Sequence, residues 1–279
     1  MRQFIKAFFF IVTLISLVGI SGAQNSKAAT KSGTHLQQTQ KGFGNPQSIG
    51  EVTDILENND AYNSLKDLIE SHHIIIVYND NSFLGNAKLK RGDFVVSFNS
   101  ALEVIRHAIT SADLDTSLIN TYDRNKAYIT SVTQVRDIKP GNIYYTAVQS
   151  LLEDWGINAP FTRAALLNSQ SLFYQDELYD ILHVTLGYDY GILKPKKISI
   201  TRYQFAKALD DALQQKLAQV QMLANEKKAK ENAEKARVDS IVKQIEQNRR
   251  DSVSKEIEAR KAEAEKKEIE ARKKLEENN

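Results

Sequence analysis

The chain has 279 residues, with 37 Lys and Arg against 35 Asp and Glu, and no cysteine. The balance hides a division: residues 50–225 carry 16 basic and 21 acidic side chains, a net of −5, while residues 226–279 carry 16 and 14, a net of +2. An acidic globular part lacks the basic face of a nucleic-acid binder. Without cysteine there is neither a disulfide frame nor a lipidated cysteine, so stability in an oxidising compartment must come from packing alone.

Residues 1–23 read as a secretory signal: Arg2 and Lys6, then the apolar stretch from Ala7 to Ile20, then the small residues Ser21-Gly22-Ala23 before cleavage at Gln24. The apolar run is shorter than the roughly 20 residues that cross a bilayer comfortably; a retained membrane anchor is the competing reading. Residues 24–49 are rich in Ser, Thr, Gln and Gly, carry no acid, and read as a flexible linker.

In the chain after the signal, Glu51 to roughly Ala224 holds nearly all the aromatic and β-branched side chains, and within it 50–215 is the expected modular domain. Val52-Thr53-Asp54-Ile55 is followed by a predicted helix from Ala61 to Glu70, with Leu65, Leu68 and Ile69 on one face. The apolar run Ile74–Val77 comes next, then a turn rich in Asn and Asp, Tyr78–Phe83. Leu89-Lys90-Arg91-Gly92-Asp93-Phe94 then opens a helix to about Ile109. In the following stretch Val135-Arg136-Asp137-Ile138 precedes a Pro-Gly turn and a predicted helix from Tyr144 to Trp155, stopped by Gly156. Ile157 leads on to Phe161-Thr162-Arg163. Glu177 to Leu186 is a third predicted helix stopped by Gly187, and Ile200-Thr201-Arg202-Tyr203-Gln204-Phe205 opens a fourth.

After Phe205 the chain has no Pro or Gly, and residues 216–279 read as a charged helix or a weak coiled coil. Acid-to-base pairs four residues apart recur, among them Glu226–Lys230, Glu246–Arg250 and Glu268–Arg272, each contributing ~0.2–0.5 kcal/mol. From Glu226 onward the helix would extend about 80 Å. Val238, Ile241 or Val242, and Ile245 begin a heptad-like stripe that Arg249 and Ser252 interrupt before Val253 and Ile257. A solvated single helix and a weak oligomeric coil are both open here.

One phrase recurs in degraded form: Lys90-Arg91-Gly92-Asp93-Phe94, Thr162-Arg163-Ala164-Ala165-Leu166 and Thr201-Arg202-Tyr203-Gln204-Phe205. The arginines lie 72 and 39 residues apart (91 to 163, 163 to 202), an irregular repeat of small helical modules. Each copy reads as a helix start. Thr201 and Gln204 form a predicted capping box, which accounts for both without a ligand. An arginine in every copy has two readings. It binds an anion with help from the free N–H groups of the helix terminus, or it pairs with an internal acid. Asp54 and Asp137 are expected to brace loops or caps; Tyr144 is open to stacking on a sugar ring, whereas Trp155, beside Leu151 and Leu152, is expected to pack in the core.

Catalytic and metal motifs are not found. The five histidines form no HExxH pair, and Asp113-Leu114-Asp115 has Leu118 and Arg124 where a calcium loop needs glycine and an acid. No nucleophile elbow or P-loop is present, so no catalytic residue, metal or cofactor is assigned.

Taken together these residues resemble S-layer homology modules, a family that binds bacterial cell-wall polysaccharide. The family pattern is an apolar or aromatic residue, any residue and an aspartate; a helix ending in Gly-Ile; a Gly-Tyr-x-Asp-Gly-x-Phe loop; and a Thr-Arg-Ala-Glu-Phe helix start. Module one (about 50–110) offers Val52-Thr53-Asp54, Tyr78-Asn79-Asp80-Asn81-Ser82-Phe83 and Arg91. Module two (about 132–172) offers Val135-Arg136-Asp137, Trp155-Gly156-Ile157 and Thr162-Arg163-Ala164. Module three (about 173–215) offers Gly187-Tyr188-Asp189-Tyr190-Gly191 and Ile200-Thr201-Arg202. The departures are Lys90 for Thr, Gly92 for Ala, Asn81 for the loop glycine, a missing loop in module two, no clear opening aspartate in module three, and Ala165 and Gln204 for the acid.

The resemblance implies a mainly α fold, with three small helical modules around a pseudo-threefold axis, ligand grooves between them, and a long charged helix behind. It implies an exported, non-enzymatic protein of the periplasm or cell surface. Its partner would be a peptidoglycan-linked anionic polysaccharide, with Arg91, Arg163, Arg202, Asp80 and Asp189 as ligand-binding candidates. A net charge of −5 makes recognition local rather than long-range. The order of signal, modules and rod also resembles outer-membrane tethering proteins that add a β-barrel; no alternating strands follow the rod here, and barrel anchoring by this chain is not expected. The tail would then bind a protein partner, self-associate or simply project. The rival reading is an adaptor that keeps the fold and works through its helix; burial of the arginines in internal ion pairs would favour it. A wall-glycan hydrolase, needing two acids across a cleft, stands third.

Overall fold

Five helices and one two-residue strand pair make up the computed structural model, which describes residues 42–119, 128–191 and 195–277 of one compact unit, Lys41–Asn279. The expected signal and most of the linker lie outside the described residues, as does Arg124. Helix α1 (Tyr62–Lys66) runs on as a π-type turn, Asp67–Ser71. Helix α2 is Arg91–Ser111. Helix α3 (Tyr145–Gln149) again runs on as a π-type turn, Ser150–Asp154. Helix α4 is Gln175–Leu186 and α5 is Arg202–Glu277. Strands β1 (Phe43–Gly44) and β2 (Val77–Tyr78) pair antiparallel. The mainly helical fold and the long C-terminal helix follow the expectation, and α5 begins at Arg202 as one continuous element.

The core is apolar on every helix. Leu65, Leu68 and Ile69 of α1, Phe94, Phe98, Leu102 and Ile105 of α2, Val148 and Leu151 of α3, Leu178 and Leu182 of α4, and Phe205, Leu209 and Leu213 of α5 are all buried. Phe94 stacks on Phe173 at 4.2 Å and on Phe98 at 5.1 Å, and meets Phe205 edge-on, so three segments share one aromatic centre.

The segments around α1 and α3 are built alike, 83 positions apart (54 and 137). Ser48 and Ser131 each begin a 3₁₀ turn with a capping box to Glu51 or Gln134. Glu70 accepts from Ser48 Oγ and Ile49 N; Glu153 accepts from Ser131 Oγ and Val132 N. These bonds hold both carboxyls below the usual carboxylate range. Asn59 and Asn142 accept from the backbone two residues on. Asp54 accepts from the N–H groups of Phe83 and Leu84 at 2.6 and 2.7 Å, and Asp137 from those of Leu167 and Asn168 at 2.9 and 2.7 Å. Both aspartates therefore brace loops, as expected.

The ends of α1, α3 and α4 share a second device. Ile74 N donates to Leu68 O, Ile157 N to Leu151 O and Tyr188 N to Leu182 O, each across a residue in the left-handed region: His73, Gly156 and Gly187. Helix α4 thus follows one loop as its second helix and precedes the next as its first.

The loops close in a ring. Leu89 N donates to Ile200 O, Phe173 N to Leu89 O, and Ile200 N to Phe173 O, at 2.9, 2.9 and 3.5 Å. All three side chains are buried. Each stands two residues before a helix: α2, α4 and α5.

Candidate functional site

The helix starts are where anion binding was expected, and their geometry is cyclic. The first two N–H groups of α2, on Arg91 and Gly92, donate to Ser171 O and Ser169 O. Those of α4, on Gln175 and Asp176, donate to Ile198 O and Lys196 O, and those of α5, on Arg202 and Tyr203, to Ala87 O and Gly85 O. A helix terminus binds anions through unsatisfied N–H groups. Here the carbonyls of a neighbouring loop have already taken them.

The side chains follow the same cycle. Arg202, first residue of α5, pairs with Asp93, third residue of α2, at 2.7 Å. Its guanidinium also donates to Phe83 O and Ile76 O at 2.6 Å and to Tyr78 Oη at 3.1 Å, and it lies over the Tyr78 ring at 4.4 Å. Tyr78 Oη donates to Asp93 at 2.7 Å; burial pushes this phenol well above its ordinary range. Arg91, first residue of α2, pairs with Glu177, third residue of α4, donates to Pro160 O at 2.9 Å, and covers Phe173. At the third junction the corresponding residues are Gln175 and Gln204, both neutral; each instead accepts a backbone N–H, from Lys196 and from Thr201. The Thr201–Gln204 capping box is present, with Gln204 N donating to Thr201 Oγ1 at 3.2 Å.

Two of the five expected ligand residues, Arg202 and Arg91, are thus held by internal partners, and the helix start expected at a third, Arg163, is absent. Arg202 is 2% exposed with its donors committed to internal acceptors, and Arg91 is mostly buried against Glu177. Arg163 does not start a helix. It is exposed in a turn closed by Ala165 N to Thr162 O, and Ala165 sits in the left-handed region at φ 57°. The helix start equivalent to Arg91 is Gln175, with Phe173 in the place of Leu89 and Leu178 in that of Phe94. Asp80 and Asp189 are exposed, and each closes its own turn, Asp80 onto Ser82 and Asp189 onto Gly191 N. Trp155 and Tyr144 are core residues, 4% and 3% exposed; burial pushes the Tyr144 phenol up to about 12.

Two open grooves are lined mostly by residues that the sequence did not single out. The larger, about 650 Å³, runs between residues 42–45, α2 and α3; Ile75, Val96 and Ile143 line it, with Asn45, Asn99, Glu103 and Thr146 as polar groups. Asn99 Oδ1 has no hydrogen-bond partner. The readable signal was Asn99-Ser100, a polar pair between Phe98 and Ala101-Leu102 of α2. The second, about 440 Å³, is polar, lined by Asn58, Asn59, Asp60, Asn86, Tyr203 and Lys207 among others. Each presents one carboxylate, Glu103 or Asp60, whereas glycoside hydrolysis uses two. Among the described residues no group of His, Asp and Glu is placed to hold a metal ion, and no helix is long and apolar enough to cross a membrane.

No protein-family model matches the chain, and neither the curated proteins nor the solved structures contain a match.

Proposed function

We propose that this is a non-catalytic protein of the cell envelope, exported through its N-terminal signal. Its head keeps an S-layer-homology-like architecture while its work is done by the projecting helix α5, which makes it an adaptor. The ring of backbone bonds through Leu89, Phe173 and Ile200 supports a pseudo-threefold, three-module reading, with the third module abbreviated by the sharing of α4. The observation that carries the adaptor reading is the use of Arg202 and Arg91 as internal struts. With the helix-start N–H groups also occupied, an anionic sugar finds no charged pocket at these starts.

A second reading rests on the 650 Å³ groove. Its apolar floor and its amide, hydroxyl and carboxylate groups suit a neutral stretch of wall glycan, and Asn99 Oδ1 supplies an acceptor without a partner. Co-sedimentation of residues 24–279 with sacculi that retain their attached polymers separates the two. The adaptor reading expects the protein to stay in the supernatant. Pelleting that Asn99→Ala and Glu103→Ala abolish, in variants with unchanged circular dichroism, would replace it with glycan attachment through the groove.

A further inference from the structure

Helix α5 leaves the head at Lys227, which donates to the carbonyl and carboxylate of Asp113. Beyond it the described side chains of the rod, through Lys273, are exposed, and the apolar ones are not spread evenly. Val238, Ile241, Val242 and Ile245 stand together within eight residues, each about half exposed. At about 100° per residue they fill an arc of about 100°. All four are poor choices for a solvated helix compared with Ala, Glu or Lys, because β-branched side chains lose rotamer freedom there and gain no packing.

The same face carries charge on either side of this patch. Toward the head it bears Glu231 and Glu234; toward the end, Arg249, Ser252 and Glu256. In a parallel, in-register pair each charge would meet its own copy, setting glutamate on glutamate and arginine on arginine. In an antiparallel pair with a two-fold axis between Ile241 and Val242 the partners differ. Val238 then faces Ile245 of the second copy, Ile241 faces Val242, and Glu234 faces Arg249. Glu231 faces the neutral Ser252. Every contact occurs twice, as a closed two-fold interface requires.

We propose that α5 binds a second copy of this chain, antiparallel and centred on Ile241 and Val242. The patch supplies the attraction, and the flanking charges select the direction. The exit points of the two heads then lie about 44 Å apart along the rods, the length of helix between residues 227 and 256. The product is a bivalent particle with a head toward each end. The inference rests on the reading of α5 as the working surface of the adaptor and names its partner.

The test uses residues 24–279, whose freedom from cysteine makes any engineered thiol the only one. Sedimentation velocity over a dilution series is expected to show a monomer–dimer equilibrium. Ile241→Lys with Ile245→Lys is expected to leave a monomer whose head melts unchanged. Glu234→Arg should weaken the dimer about tenfold, since two pairs per dimer become repulsive, and Arg249→Glu in the same chain should restore it. Chains carrying Glu231→Cys mixed with chains carrying Ser252→Cys should form disulfide-linked heterodimers, while Ser252→Cys alone should not cross-link. A monomer at every concentration, a trimer, self-cross-linking of Ser252→Cys, or failure of the charge swap to rescue would each overturn the proposal. Sacculus pelleting is independent of all of these, so loss of the pairing and loss of the adaptor reading are told apart.

Discussion

Arg202 and Asp93 lie 109 positions apart in the chain and form an ion pair at 2.7 Å with side chains only 2% and 3% exposed. The pair joins the first turn of α5 to the first turn of α2, and the remaining guanidinium donors fasten both to the carbonyls of Ile76 and Phe83. A buried pair of this kind is not a large net source of stability, because two charges lose their water. Its removal by halves is costly. Arg202→Ala leaves Asp93 buried without its cation, and a loss of about 3–5 kcal/mol is expected in urea unfolding followed by Trp155 fluorescence. Arg202→Lys should recover only part of it, since a lysine cannot reproduce the fork. A variant of wild-type stability would refute the strut and return Arg202 to the list of ligand groups.

The loop aspartates make a separate claim. Asp137 holds two backbone N–H groups, and its removal leaves both without an acceptor in a half-buried loop. Asp137→Ala should cost about 1–3 kcal/mol, and Asp54→Ala a similar amount. Asp137→Asn should be milder, because one amide oxygen remains. Equal losses from the Ala and Asn variants at 137 would show that charge, not hydrogen bonding, does the bracing.

Much of this was readable before the fold. Gly156 and Gly187 marked helix ends, Thr201 and Gln204 a capping box, and Asp54 and Asp137 a pair of braces; each is a local pattern with a local cause. Arg163 misled because Thr162-Arg163-Ala164 repeats the letters of a helix start without the helix. The better guide was the spacing of the braces. Carried forward from Arg91, an interval of 83 reaches Tyr174, one residue before Gln175, rather than Arg163 (54 and 137, 91 and 174). What no local pattern contains is the partner of each arginine. Asp93 and Glu177 are ordinary first-turn acids until the ring of loops brings a different helix start onto them.

The burial of Asp210 on α5 predicts a pH dependence for this residue's contribution to stability. It is 5% exposed, and burial raises its pKa, with Asp67 and Asp211 adding to the rise while hydrogen bonds from Ser64 and Gln214 oppose it. A carboxyl whose folded pKa is raised contributes stability below its ordinary value of 3.8 and loses it as pH rises through the folded pKa. Asp210→Asn should therefore unfold at higher urea than wild type at pH 7, and the advantage should vanish in acid. The comparison is a difference between two proteins, so the opposite acid sensitivity of Glu70 and Glu153 cancels. A variant less stable at pH 7 would mean that the hydrogen bonds to the carboxylate outweigh its desolvation.

The last prediction concerns the junction where the cycle of ion pairs is left open. Arg202 meets Asp93 and Arg91 meets Glu177, in each case the first residue of one helix with the third of another. The corresponding residues of α4 and α5 are Gln175 and Gln204. If the three junctions are geometrically alike, Gln175→Arg and Gln204→Glu together should install the missing pair. The Gln204→Glu change would keep the cap on Thr201, since a glutamate accepts the same N–H as a glutamine. Gln204 is exposed, so the expected coupling is that of a surface pair, about 0.2–1 kcal/mol, and not that of Arg202 with Asp93. A double-mutant cycle in urea at low salt reads it directly, and added salt should diminish it. A coupling of zero would show that the third junction differs in geometry as well as charge, as the sharing of α4 between two loops would allow.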